Sequence, residues 1–146
     1  MRLLLDTNVL LLLVVGLLRR DRIGGKRLEK FTDGDFLKVA GWAAEFPKHV
    51  SLPNILTETA NLLGDARQEL VLGGLEALAT YVSKLDEVYV PSARVVKVTS
   101  YLAVGLTDSA ILEMVNRKTC VVSVDHHLCG LLVSRNIDVR NPFHYR

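Results

Sequence analysis

The sequence predicts an α/β protein built on a parallel sheet with helices on both faces. Short apolar runs, RLLL at 2–5 and VVSV at 121–124 among them, alternate with longer helix-patterned segments. The runs are almost continuously apolar, as strands covered on both faces must be, and lack the in–out alternation of a half-exposed antiparallel sheet. With 146 residues, 49% of them hydrophobic, the chain can bury one sizeable core and is read as one domain over 1–146.

Taken in order, Arg2–Leu5 is a strand ending at Asp6, and Asn8 is placed to cap a helix reaching about Leu18. Arg19–Lys30 (RRDRIGGKRLEK) is a polar, glycine-containing break. Thr32 with Asp35 approximates a capping box for a helix to about Phe46. Val50–Leu52 is a second strand, and Pro53 suits the first turn of a helix to about Leu63. A helix is expected over Arg67–Lys84, a strand at Val88–Val90, a helix over Ala93–Tyr101, and a helix capped by Thr107 to about Arg117. Thr119–Val124 has the richest β-branched content, His126–Ser134 reads as a helix and Ile137–Val139 as a last strand.

Composition excludes several classes. Four prolines and ten glycines are too few for a disordered or collagen-like chain. Cys120 and Cys129 make no disulfide scaffold and no C-x-x-C pair for zinc, so a reducing, cytoplasmic setting is expected. The apolar run Val9–Leu18 falls well short of the ~20 residues that span a bilayer. Asp6 and Asn8 interrupt it, and no small-residue cleavage site follows, so no membrane partner is expected. A net charge of +2 says little about nucleic acid, but Arg19–Lys30 concentrates six Lys/Arg against two acids.

In parallel sheets ligands collect outside the carboxyl ends of the strands. Two strands end there in an aspartate, RLLLD at Asp6 and VVSVD at Asp125. Taken singly, each also reads as an ordinary helix cap. Asp108 opens the helix in LTDSAILEM, and at about 100° per residue it projects between Leu112 and Val115, inside the apolar stripe. An acid aimed inward needs a partner, because a lone buried carboxylate is costly. Glu58 lies about 40° from Leu62, at the border of the apolar face of PNILTETANLL. Four acids at one sheet end would raise one another's pKa unless a cation sat among them, and oxygen donors without His or Cys suit Mg²⁺ or Mn²⁺.

The ordered set LLLDTNVLL, LPNILTETANLL, LTDSAI and VVSVD resembles the PIN-domain nucleases, known best from bacterial and archaeal toxin ribonucleases, over essentially the whole chain. The resemblance implies a three-layer α/β/α sandwich on a short, mainly parallel sheet. It implies Mg²⁺- or Mn²⁺-dependent endonucleolytic cleavage of single-stranded RNA. Asp6, Glu58, Asp108 and Asp125 would be the catalytic acids and metal ligands, with Asn8 and Ser123 supporting them by hydrogen bonding. A homodimer, through the first helix or the Arg67–Lys84 helix, and a cognate antitoxin are implied as partners. The long basic stretch before the Glu58 helix departs from the compact toxin pattern, and Arg19, Arg20, Arg22, Lys26, Arg27 and Lys30 are candidate RNA contacts. The competing readings are a solvated loop for this stretch and, for the whole chain, an inactive PIN-like protein- or RNA-binding module. A phosphatase would want an acid where Asn8 stands, and a receiver domain would want adjacent acids at a strand end.

Overall fold

The structure is a computed structural model describing residues 1–146. It is an α/β fold of seven α-helices around a small, mostly parallel sheet. In order come β1 (Arg2–Leu5), α1 (Thr7–Leu18), a 3₁₀ turn (Arg20–Arg22), α2 (Asp33–Glu45), β2 (Val50–Ser51) and α3 (Pro53–Leu63). A short antiparallel ribbon follows, β3 (Gly64–Asp65) with β4 (Gln68–Glu69). Then come α4 (Gly74–Val82), β5 (Asp86–Glu87), α5 (Ser92–Val95), α6 (Tyr101–Met114), β6 (Thr119–Val122), α7 (His126–Ser134), β7 (Asp138–Arg140) and a 3₁₀ turn (Pro142–Tyr145).

β1 pairs in parallel with β6, Leu5 opposite Val122, and β6 pairs in parallel with β7. β2 and β5 form a second parallel ladder. A parallel bridge between Leu3 and His49 joins the two ladders, which gives the spatial order β5-β2-β1-β6-β7. From β1 the chain moves outward through β2 and β5, then returns to the other side of β1 for β6 and β7. The direction of winding therefore reverses between β1 and β6. In open parallel sheets the crevice at the carboxyl end of such a reversal is where ligands bind.

The Leu-rich helix α1 is apolar all round, and Val9 through Gly16 are all buried among α2, α3 and α4. Twelve residues rise only about 18 Å, short of a bilayer's ~30 Å. No helix is long and apolar enough to cross a membrane. α1 belongs to a cluster of 32 buried apolar residues that also takes in Leu3–Leu5 and Val121–Val122, so the two central strands are fixed by packing on the residues preceding Asp6 and Asp125. Burial of each such Leu or Val is worth about 1.5–3 kcal/mol.

Several boundaries differ from the sequence reading. Asp6, not Asn8, caps α1, because the helix starts as soon as β1 stops. The expected helix over Arg67–Lys84 is shorter, since the ribbon takes its first residues and Gly73, at φ +83°, opens α4 at Gly74. The strand expected at Val88–Val90 lies at Asp86–Glu87, and β6 stops at Val122. The expected Ala93–Tyr101 helix is reduced to α5. Thr107 is not a cap: Gly105 (φ +86°, ψ −177°) kinks α6 and the helix restarts just before Thr107. That backbone region is essentially reserved to glycine. Of the two dimer faces considered, α1 offers, among its apolar residues, only Leu17 and Leu18 to solvent. The capping box at Thr32 and Asp35 and the Pro53 helix start are as expected.

Candidate active site

The β1–α1 junction is the tightest part of the site. The Asp6 amide donates to Val122 O (3.0 Å), extending the β1–β6 ladder by one residue. This fixes the backbone from which the Asp6 carboxylate projects. That carboxylate is largely buried and accepts from the Thr7 amide at Oδ1 (2.8 Å) and from Ser123 Oγ at Oδ2 (2.8 Å). Ser123 Oγ in turn accepts from the Asp125 amide (3.1 Å), so one buried hydroxyl ties together the ends of both central strands. Asp125 caps α7, accepting from Leu128 N (2.9 Å), and is exposed.

The other two acids arrive on helices. Glu58 is exposed on α3 and is held by Thr7, whose Oγ1 donates to Glu58 Oε1 (2.8 Å). Asp108 is half-buried in the first turn after the Gly105 kink. Asp6, Glu58, Asp108 and Asp125 line one cleft of about 800 Å³, together with Thr7, Asn8, Asn61 and Arg27. The structure thus brings together four side chains separated by up to 119 positions of sequence, at the crevice between β1 and β6.

Electrostatics register the meeting. Burial, then the charges of Asp6, Asp125 and Glu58, push the Asp108 carboxyl up to about 7, and no hydrogen bond offsets them. Burial also raises Asp6; Asp125 and Glu58 add to the rise, while the bonds from Ser123 and Thr7 oppose it. No three of the His, Cys, Asp or Glu side chains are gathered tightly enough to hold an ion as they stand. The donor chemistry nonetheless suits a hard dication, since every ligand group offered is a carboxylate, amide or hydroxyl oxygen and the like charges need a counter-ion. Occupancy would draw in the exposed Glu58 and the half-buried Asp108, while Asp6 and Asp125 are already held by hydrogen bonds.

The candidate supporting residues separate. Ser123 holds Asp6, whereas Asn8 is exposed in the cleft wall and the second bond to Asp6 comes from Thr7. Thr7 was missed in the sequence: it is the middle residue of D-T-N, but its partner Glu58 lies 51 positions away. The basic stretch also divides. Arg19 is paired with Asp21 (2.7 Å); Arg20 pairs with Asp33 (3.5 Å) and lies over the Phe36 ring. Neither lines the acid cleft. Arg27, at φ +68°, does, and it also borders two flanking hollows, one with Arg22 and Lys26, the other with Lys30 and Asp125.

His126 and His127 are exposed in the first turn of α7. Burial raises both thiols, that of Cys120 to about 12, which leaves neither as a nucleophile at neutral pH. No protein-family model matches the chain, and no curated protein is recognisably similar to it.

Proposed function

We propose that the chain is a Mg²⁺- or Mn²⁺-dependent endoribonuclease acting on single-stranded RNA, with the PIN-like three-layer arrangement. The observation that carries this reading is the convergence of Asp6, Glu58, Asp108 and Asp125 on one cleft at the β1/β6 reversal. The layer arrangement is supported by topology. Parallel crossovers are almost always right-handed, so strands laid down on opposite sides of β1 carry their helices on opposite faces. The substrate class is the one implied by the D-T-N, E, T-D and S-x-D resemblance.

Asp6 and Asp125 would be the direct ligands, with Glu58 and Asp108 completing the set or orienting water. A bound dication would supply Lewis acidity toward the phosphodiester and make water more acidic. The residues of the chain do the rest. Ser123 and Thr7 hold Asp6 at fixed orientation, and Thr7 also restrains Glu58. Asp108, half-buried at the cleft wall beside the other acids, is placed to orient the attacking water or accept its proton in an in-line displacement at phosphorus. Arg27 faces the cleft with a permanent positive charge and would hold a non-bridging phosphate oxygen.

The test is Mn²⁺-titrated cleavage of a mixed set of single-stranded RNAs, with Asp6→Asn as control. Metal-dependent cleavage that disappears in the variant is expected. Absence of cleavage by the wild type across the titration would defeat the reading.

A further inference from the structure

A second hollow of about 560 Å³ adjoins the acid cleft, with Glu58 and Thr107 lining both. Its remaining lining is unlike the Arg27 side. Asn54, Thr57, Tyr89, Val90, Pro91 and Ser92 contribute amide, hydroxyl and ring surfaces, with no cation among them. The acid cleft is therefore flanked by two unlike arms, one basic through Arg27, Lys26 and Arg22, the other uncharged beyond Glu58.

Tyr89 gives the uncharged arm its character. The residue is 72% exposed, so the core does not account for it. The ring is nevertheless held, because its hydroxyl donates to Glu87 Oε1 (3.0 Å), on β5 of the sheet. An exposed aromatic face with one edge anchored loses little freedom on receiving a flat partner. A phosphate is poorly served here, since no positive charge is offered and Glu58 stands at the entrance. A nucleobase is well served, because stacking needs only a π-face, and the Asn54 amide with the Thr57 and Ser92 hydroxyls can pair with base edges.

We propose that this arm is the subsite for a single nucleobase flanking the scissile phosphate, with Tyr89 as its stacking platform. The proposal rests on the nuclease reading for the position of the phosphate. It makes Tyr89 a specificity-determining residue, acting through substrate binding and not through the chemical step.

The test uses the full chain and short fluorescein-labelled oligoribonucleotides, with binding followed by anisotropy in EDTA and cleavage kinetics followed in Mn²⁺. Tyr89→Ala is expected to weaken binding and raise KM about tenfold with kcat little changed, while Tyr89→Phe stays within about twofold of the wild type. An abasic residue beside the cleavage position should cost the wild type the same factor and cost Tyr89→Ala almost nothing. Wild-type cleavage with an indifferent Tyr89→Ala removes the subsite and leaves the nuclease. RNA binding that depends on the Tyr89 ring, without metal-dependent cleavage, keeps the subsite and removes the nuclease. Equal losses in Tyr89→Ala and Tyr89→Phe, or an abasic penalty undiminished in Tyr89→Ala, would overturn stacking, and a chain that neither binds nor cleaves RNA would overturn both readings.

Discussion

The acids at the strand ends and the acids on the helices reach the same cleft under different constraints. Asp6 is buried at the end of β1, with both carboxylate oxygens taken by Thr7 and Ser123, and Asp125 is pinned as the cap of α7. Glu58 is exposed and holds one bond to Thr7, while Asp108 has burial and three negative neighbours but no compensating donor. Rigidity has been given to the pair whose backbone the sheet already fixes. Asp108 carries the uncompensated charge, so it is the acid expected to respond most to an ion or to pH.

The comparison breaks most sharply at Asp6. Asp6→Asn is expected to reduce Mn²⁺-dependent cleavage by on the order of 10³-fold, as is Asp108→Asn, with both proteins folded by circular dichroism. Full activity in both would dissolve the distinction between the pairs and the site with it. Ser123→Ala removes the donor that orients Asp6 and is expected to cost about 10–100-fold in activity, read as a higher Mn²⁺ requirement.

The pH dependence is expected most clearly at Asp108. Asp108 has its pKa raised from 3.8 to about 7, so the native state holds a proton that the unfolded state has released. Its contribution is present below about pH 4 and is lost as pH rises through about 7. Thermal melts should therefore show Asp108→Asn gaining on the wild type between pH 4 and pH 7 and keeping that gain above. Mn²⁺ should raise the wild-type Tm more at pH 8 than at pH 5. A constant difference between wild type and variant across this range would show that the charges at Asp108 do not meet.

Smaller effects sharpen the picture. Arg27→Ala should reduce the slope of log K for RNA against log salt by about 0.7, the share of one phosphate contact on a single strand. An Arg19→Ala control, at a residue paired with Asp21 outside the cleft, should leave it unchanged. Thr7→Val frees Glu58 without touching the Thr7 amide bond to Asp6, and stability should move by less than about 0.5 kcal/mol in a denaturant titration.

What could be read from the sequence follows the range of each interaction. Strand, aspartate and helix adjoin at Asp6, and at Asp125 only Ser123 and Val124 stand between β6 and the cap of α7, so both acids are legible from a few residues of pattern. The capping box at Thr32 is legible for the same reason. The Thr7–Glu58 bond is not, because it exists only once α3 lies across the start of α1. The ribbon at 64–69 hides inside a helix-like composition, where Gly64 (φ +94°) turns the chain with no room for a side chain against the Gln68 carbonyl. Tyr89 is not legible as a platform because a single aromatic ring, with no array of others around it, carries no pattern in the sequence.

The kink at Gly105 decides how the chain can change without spoiling the cleft. Since the backbone leaves helical geometry there, the orientation of Asp108 is set afresh by the turn that follows and not inherited from Tyr101–Val104. Lengthening the connection before Gly105 by a residue would not rotate Asp108 by the ~100° that one insertion costs a continuous helix. Insertions and deletions between β5 and Gly105 are thus not passed to Asp108 through helical phase, leaving the rim beside Tyr89 free to diversify while the acid keeps its aim.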